Sequence, residues 1–138
     1  RKAPAELVYL FNLGRRPETD RNRVVVLNMV LVDDINIGYD SLVGSIISHV
    51  NGKKIVSLED LVNTIDNMSN DEEFISLVTS MNCTAVLPAP HTQIAKTAHD
   101  RILKRYRVSS PRSVSLMTEA FKKKFLKKDG DTKETNTD

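Results

Sequence analysis

The stretch that decides the fold is SIISHVNGKKIVSLEDL, residues 45–61. Its first six residues include the β-branched Ile46, Ile47 and Val50 and predict a strand. Asn51-Gly52 predicts a tight turn because both residues accept positive φ. Residues 53–56 form a short returning strand. Ser57-Leu58-Glu59-Asp60 then has the Ser-x-x-acid form of a helix start. A hairpin that leads directly into a capped helix indicates a domain of mixed α and β structure.

The helix that begins after Ser57 is the clearest element of the chain. Its apolar residues recur at i, i+3, i+4, i+7 and i+10, which places them on one helical face: Leu58, Leu61, Val62, Ile65 and Met68. Strands are predicted at residues 23–32, 73–79 and 83–87. The first of these is apolar at nearly every position, which is typical of a strand covered on both faces.

Helices are expected at both ends of this β-rich part. An N-terminal helix follows Pro4 and ends at Gly14, a second helix spans residues 91–106, and Ser110-Pro111 opens a third. The second helix has one apolar side, made of Ile94, Ala95, Ala98, Ile102, Leu103 and Tyr106. The third has its apolar side at Val114, Met117, Phe121 and Phe125.

The predicted fold class is therefore α+β: a small antiparallel β-barrel or sandwich with one long helix on it and flanking N- and C-terminal helices. Four regions are expected along the chain. They are an N-terminal helix and linker (1–22), a core (23–88), a C-terminal helical extension (89–128) and a disordered tail (129–138) that contains no apolar residue.

Composition excludes several classes of protein. The chain has 138 residues, 40% hydrophobic and 28% charged, which fits one soluble globular domain. With one cysteine, Cys83, and three histidines, neither an intrachain disulfide nor a zinc site of the usual Cys/His spacing is expected. No apolar stretch is long enough to span a membrane. The chain begins at Arg1 without a methionine and reads as a piece of a longer protein.

Candidate chemistry is sparse. No serine lies in a Gly-x-Ser-x-Gly or Gly-Asn-Ser-Gly setting that would supply an oxyanion hole, so a catalytic triad is not expected. Cys83 is predicted to be a small buried hydrophobe. The acidic run from Asp33 to Asp40 lacks the order of a calcium loop, and the glycines lack the spacing of a phosphate loop. We therefore expect a non-catalytic module without metal or cofactor, and no casein cleavage by the chain.

Charge is strongly segregated although the net charge is only +2. Residues 24–90 carry nine acids and two bases, and residues 91–128 carry eleven bases and two acids. The basic segment can pack against the acidic middle or offer a basic face to a partner. Nucleic acid is not the expected partner because the segment lacks interleaved aromatic residues. The candidate residues for a basic assembly surface are Arg101, Lys104, Arg105, Lys122, Lys123 and Lys124.

Two runs, residues 25–40 and residues 46–61, resemble a PDZ domain. The stretch Asp34-Ile35-Asn36-Ile37-Gly38-Tyr39 more particularly resembles the second, C-terminal PDZ domain of the eukaryotic plant-type Deg/HtrA serine proteases. Lys96-Thr97-Ala98 through Ile102-Leu103, followed by Val108-Ser109-Ser110, is similar to the helix and turn that end those proteins. The resemblance covers about residues 3 to 117.

This resemblance implies a parent that is an ATP-independent serine endopeptidase of protein quality control. Its His-Asp-Ser protease domain and a first PDZ domain would lie upstream of Arg1, so the fragment itself is not an enzyme. In the family such PDZ domains bind polypeptides or join subunits of the same protease into homo-oligomers, without a small-molecule cofactor. The compartment stays unassigned, with an organelle or the nucleus compatible with the family.

A PDZ groove takes a peptide as an added strand and holds its carboxylate with a hydrophobic-Gly-hydrophobic loop. That loop is not evident here, since Leu13-Gly14 is followed by Arg15. The groove strand can lie upstream, or the groove can be degenerate or filled by the protein itself. The residues expected to contact a peptide or an internal segment are Leu58, Leu61, Val62 and Ile65. The alternative function is an anion-binding adaptor that grips nucleic acid or acidic membrane through residues 122–128.

Overall fold

The computed structural model describes residues 23–125 together with the single residue Val8. Residues 23–125 contain five strands and three α-helices: β1 (Val25–Val26), β2 (Ile46–Val50), β3 (Lys53–Lys54), α1 (Leu58–Asp66), β4 (Phe74–Thr79), β5 (Thr84–Pro88), α2 (Gln93–Arg105) and α3 (Glu119–Phe125). Short 3-10 helices lie at Asp34–Asn36, Tyr39–Leu42 and Val114–Leu116. This is the expected α+β architecture, with an antiparallel sheet and helices around it.

The strands form one antiparallel sheet in the order β1-β2-β4-β5, with β3 also paired to β2. Val25 lies opposite Ile47, and Ser76 lies opposite Val86. Since β4 occupies one side of β2, β1 and β3 both lie on its other side. The sheet therefore has two edges, one formed by β5 and one shared by β1 and β3.

The hairpin and helix of residues 45–61 form as the sequence predicts. Asn51 and Gly52 turn between β2 and β3 with φ of 47° and 78°. The Ser57 side chain accepts a hydrogen bond from the Asp60 backbone N–H at 3.0 Å, which satisfies one of the free donors at the start of α1. Local chemistry thus fixes both ends of the link between the sheet and α1.

The hydrophobic core lies between the sheet and α1. Its buried members lie in β1, β2 and β4 or shortly after β3, α1 and β5: Val25, Ile47, Val50, Ile55, Met68, Ile75 and Ala89. Leu61 and Ile65 of α1 pack against this cluster, together with Leu77 and Leu87 of the sheet. The face of α1 that carries Leu61 and Ile65 therefore packs against the core. Neighbouring positions on the helix can make other contacts.

The predicted strand over residues 23–32 is mostly wrong. Only Val25 and Val26 are in a strand, because Leu27 makes the last bonds of this ladder, with the Ser45 carbonyl and the Gly44 N–H, at 2.9 and 2.7 Å. Beyond that point the chain leaves the sheet. Met29 and Val32 are exposed, so the stretch is not covered on both faces.

The third helix does not open at Ser110-Pro111. Residues 110–113 are irregular, the 3-10 turn at Val114–Leu116 follows, and α3 begins only at Glu119. Thr118 supplies the cap, since its hydroxyl oxygen accepts a bond from the Phe121 N–H at 3.1 Å. Val114, predicted to lie on the packed side, is exposed.

Two further predictions about single side chains are wrong. Cys83 is exposed, because it lies in the turn between β4 and β5, where the Thr79 N–H donates to its carbonyl oxygen at 2.9 Å. Ile94, placed on the packed side of α2, is also exposed, whereas Ala98 of the same helix is buried as expected. The predicted N-terminal helix at residues 4–14 and the predicted disordered tail at residues 129–138 lie outside the described part of the chain, apart from Val8.

Among the described residues, none of the helices is both long and apolar enough to cross a membrane.

Candidate functional site

The four residues expected to contact a polypeptide divide into two pairs on α1. Leu61 and Ile65 pack against the core. Leu58 is 46% exposed and Val62 is half-buried, and neither belongs to the core cluster. Leu58 and Val62 are four residues apart and so lie on one side of the helix. This side of α1 is the part of the predicted surface that a ligand can reach.

The β5 edge of the sheet is closed by a side chain. The Tyr39 hydroxyl donates to the Val86 carbonyl oxygen at 3.1 Å and accepts from the Val86 N–H at 3.0 Å. One hydroxyl group thus satisfies both outward backbone groups at the middle of β5. Pro88 carries no N–H, so the end of this strand also lacks a donor. Addition of a further strand at this edge is blocked.

The opposite edge differs. Val26 of β1 is 38% exposed, and its neighbours Val25 and Leu27 make the bonds to β2 and the segment before it. The backbone of Val26 therefore points away from β2, as alternation along a strand requires. Among the described residues no strand pairs with β1 on the side away from β2, whereas Tyr39 occupies the outer side of β5. Strand addition, the mode by which many modules take extended polypeptides, therefore fits β1 and not β5.

Asp33 organises the turn that follows β1. Its carboxylate accepts from the Ile35 N–H at 3.5 Å, and the Asn36 side chain in return accepts from the Asp33 N–H at 2.9 Å, which completes a capping box. Arg101 of α2 binds both carboxylate oxygens, with its Nε at 2.8 Å from Oδ2. Arg105 lies 3.6 Å from the same carboxylate. The acidic turn is therefore an anchor for α2.

The electrostatics of this anchor follow from its geometry. The side-chain hydrogen bonds from Arg101 are the largest cause that lowers the pKa of Asp33, to about 2 from an ordinary 3.8, with burial acting in the opposite direction. The same contact raises the pKa of Arg101. Both groups stay charged at neutral pH, and α2 is held to the turn by a permanent ion pair. Arg105 and Tyr106 add hydrogen bonds to the Val32 carbonyl at 3.1 and 3.2 Å.

Asp66, the last residue of α1, receives the segment before α3. Its side chain is 5% exposed, and both its oxygens are bound by Arg112 at 2.6 and 3.0 Å. The Thr118 hydroxyl donates to the same carboxylate. The Phe121 ring lies below the Arg112 guanidinium, 4.1 Å from its central carbon, in a cation–π arrangement. We call Arg112, Thr118 and Phe121 the latch, since they join residues 112–121 to α1.

The six basic residues expected to form an assembly surface fall into two groups, the arginines, which bind Asp33, and the lysines. Arg101 and Arg105 point into the Asp33 cluster of their own chain. Lys104 and Lys123 are exposed, and Lys122 pairs with Glu119 at 2.7 Å on the surface of α3. Lys124 continues this helix. Of the two alternatives for the basic segment, packing on the acidic middle therefore holds for the arginines.

A polar cleft of about 320 Å³ lies beside the other side of α1. It is lined by the β2–β3 turn and by the C-terminal half of the helix, including Asn51, Asn63 and Glu72. Asn51 bonds Glu72 and accepts from the Ser76 N–H at 2.7 Å, so these polar groups serve the turn itself. Within residues 23–125, no group of three His, Cys, Asp or Glu side chains could hold a metal ion.

Sequence reasoning missed Tyr39, Asp66 and the latch. Tyr39 belongs to the stretch that carries the resemblance, but no local pattern predicts its two hydrogen bonds to Val86, which is 47 residues away. Asp66 lies directly after Ile65, four residues beyond Val62, and this spacing is the one signal that places it on the ligand-accessible side of α1. No local pattern indicates that Arg112, 46 residues away, is its partner.

Comparison with known proteins agrees with this architecture. A family model described as PDZ domain matches residues 1–115. The chain therefore belongs to the PDZ domain family, whose members act in protein–protein interaction and are generally non-catalytic. No curated protein matches the chain.

Proposed function

We propose that this chain is the polypeptide-binding and assembly module of a Deg/HtrA-type ATP-independent serine endopeptidase that acts in protein quality control. The parent assignment draws on the resemblance of residues 34–39. Two residues of this stretch make hydrogen bonds that stabilise the fold: Asn36 completes the capping box of Asp33, and Tyr39 closes the β5 edge. The resemblance thus falls on residues that hold the domain together, which supports a shared architecture.

The observation that carries the binding role is the asymmetry of the two sheet edges. Tyr39 occupies the backbone groups of Val86, while Val26 on β1 stays exposed. Exposed Leu58 and half-buried Val62 offer apolar surface on α1. A polypeptide that presents apolar side chains to α1 and backbone groups to β1 fits these features, because main-chain bonds give affinity and side chains give selectivity in strand addition.

The binding role is tested by titrating a fluorescent unfolded casein into the chain at two salt concentrations. We expect binding that changes little with salt, since apolar contacts are not screened. Leu58→Asp should weaken it strongly, and Ile94→Asp, an equal change at an exposed apolar residue of α2, should not. Equal binding by both variants would contradict the role of α1.

The same titration with a nucleic acid and with anionic vesicles separates the alternative function. An anion-binding adaptor would bind through the exposed lysines of α3, and its affinity for nucleic acid would fall steeply as salt rises. Strong, salt-sensitive nucleic-acid or vesicle binding with no casein binding would favour that adaptor over the proposed module.

The assembly role rests on the outward-facing lysines. Lys104 and Lys123 are exposed and are free to meet a neighbouring subunit, with Lys122 beside them in sequence. Sedimentation of the chain gives its mass in solution, and Lys104→Glu with Lys123→Glu should lower any oligomer to a smaller species. A monomer in both cases would count against assembly by this domain alone.

A further inference from the structure

Asp66 continues the ligand-accessible side of α1. Leu58, Val62 and Asp66 are spaced four residues apart, so they follow one another along the helix. The first two leave apolar surface uncovered. The third is a carboxylate whose oxygens are bound by Arg112 and Thr118 of the latch. This side of α1 therefore ends at the Asp66 carboxylate, and the latch is the occupant of that site.

The occupant is joined to α2 by a stretch of chain without regular secondary structure. No helix or strand is present between Arg105, the last residue of α2, and Val114, the first residue of the 3-10 turn. Beyond it Arg112 donates to both oxygens of Asp66 and, at 3.5 Å, to the segment's own Leu116 carbonyl. A segment held on an irregular tether can leave and be replaced.

We propose that Asp66 is a specificity-determining residue of this surface, that it selects a polypeptide segment presenting an arginine, and that residues 112–121 are its resident intramolecular ligand. This inference rests on the proposed function, that α1 binds polypeptide. The ligand class is defined by what is bound now: a guanidinium that reaches both carboxylate oxygens, backed by an aromatic ring. Flanking apolar side chains would contact Val62 and Leu58.

The chemistry of the contact favours arginine over lysine. A guanidinium presents parallel N–H groups that match both oxygens of a carboxylate, whereas an ammonium is a point charge that occupies one geometry at a time. Stacking on an aromatic ring also suits the planar guanidinium. A lysine peptide would keep the charge attraction and lose the second bond and the stacking.

Competition with the resident ligand sets the affinity of the surface. The apparent dissociation constant of an incoming segment is its intrinsic constant divided by the fraction of molecules with the site open. Weakening the resident contact therefore increases the affinity for an external segment without any change in the site itself. Asp66 must stay intact for this gain.

The test uses the chain's own segment as the probe. A fluorescein-labelled peptide of residues 110–122 is titrated into the full chain, into Arg112→Ala and into Arg112→Lys, with circular dichroism to confirm folding. We expect Arg112→Ala to bind at least about tenfold more tightly than wild type, with Arg112→Lys between them. A peptide with lysine in place of its arginine should bind roughly tenfold more weakly. Adding Asp66→Asn should abolish the gain.

Equal binding of the arginine and lysine peptides, or of wild type and a folded Arg112 variant, would overturn the inference. If Arg112→Ala fails to fold, Arg112→Lys and the peptide pair still decide the matter. Casein titration of the same proteins keeps the two ideas apart. Casein binding that depends on Leu58 but shows no arginine preference defeats only the Asp66 role, and absence of all binding defeats the proposed function.

Discussion

Replacing Tyr39 with phenylalanine tests the reasoning about the β5 edge. The variant keeps the ring and removes one hydroxyl group, which donates to the Val86 carbonyl at 3.1 Å and accepts from its N–H at 3.0 Å. Each hydrogen bond contributes about 0.5–1.5 kcal/mol net, and water can reach this edge, so we expect the free energy of unfolding to fall by about 1–2 kcal/mol. With about 4 °C for each kcal/mol in a chain of this size, the melting temperature should fall by about 4–8 °C.

The same substitution should change self-association. Free N–H and C=O groups on an edge strand are a template for pairing with another chain. Sedimentation velocity at increasing protein concentration should therefore show more association for Tyr39→Phe than for wild type. Tyr106→Phe is the matched control, because its hydroxyl makes a single bond at 3.2 Å, to the Val32 carbonyl, and does not touch the edge.

For the control we expect about half the loss of stability and no added association. Equal melting temperatures for wild type and Tyr39→Phe would refute the assignment of two bonds to this hydroxyl. Equal association of the two tyrosine variants would refute its role in closing the edge.

Three further substitutions test other parts of the fold. Ser57→Ala should lower the free energy of unfolding by about 1 kcal/mol through loss of the α1 cap, measured by urea denaturation, with no change for the exposed Ser109→Ala. Asp33→Asn should flatten the pH dependence of stability: the pKa of Asp33 is lowered to about 2, so its contribution is complete above the unfolded pKa near 3.8 and is lost as pH falls towards 2. An unchanged acid profile would show that its pair with Arg101 does not act in this way. Gly52→Ala should cost about 1 kcal/mol, because a Cβ meets nothing within 4 Å but φ is +78°; an unchanged denaturation midpoint would contradict this.

Where local chemistry decides the structure, the sequence predicts it. The helix at Leu58–Asp66 was predicted because its cap and its apolar spacing lie within the same dozen residues. The turn at Asn51-Gly52 was predicted because the two residues supply the backbone conformation themselves. Both signals act without help from distant parts of the chain.

Where a distant partner decides, the prediction fails. The run after Val26 has strand composition, but β2 begins only at Ile46 and offers it two paired residues. Ser110-Pro111 has the local sequence of a helix start, yet Arg112 binds Asp66 and the helix begins only after the Thr118 cap. Propensity is a weak preference that tertiary contacts override.

The basic segment of residues 91–128 is another feature whose contacts the sequence alone does not predict. Composition gives one basic segment, but within residues 23–125 Arg101, Arg105 and Arg112 bind buried carboxylates of the same chain, and Lys104 and Lys123 do not. Arg101 and Arg112 each bind both oxygens of a buried carboxylate, whereas Lys104 and Lys123 are exposed. Arginine suits buried pairs because its planar group is weakly hydrated and binds carboxylates with two bonds, and lysine is better kept in water.

This division determines how the basic segment can be studied. Deleting residues 91–128 would remove the lysines that face solvent and would also remove the arginine partners of Asp33 and Asp66. Leaving one charge of a buried pair without its partner costs about 3–5 kcal/mol, so loss of assembly after such a deletion could reflect loss of folding. Substitution of Lys104 and Lys123 changes the outward charge and leaves both buried pairs in place. An assembly defect in that variant, with an unchanged melting temperature, would therefore place the contact on the lysine surface.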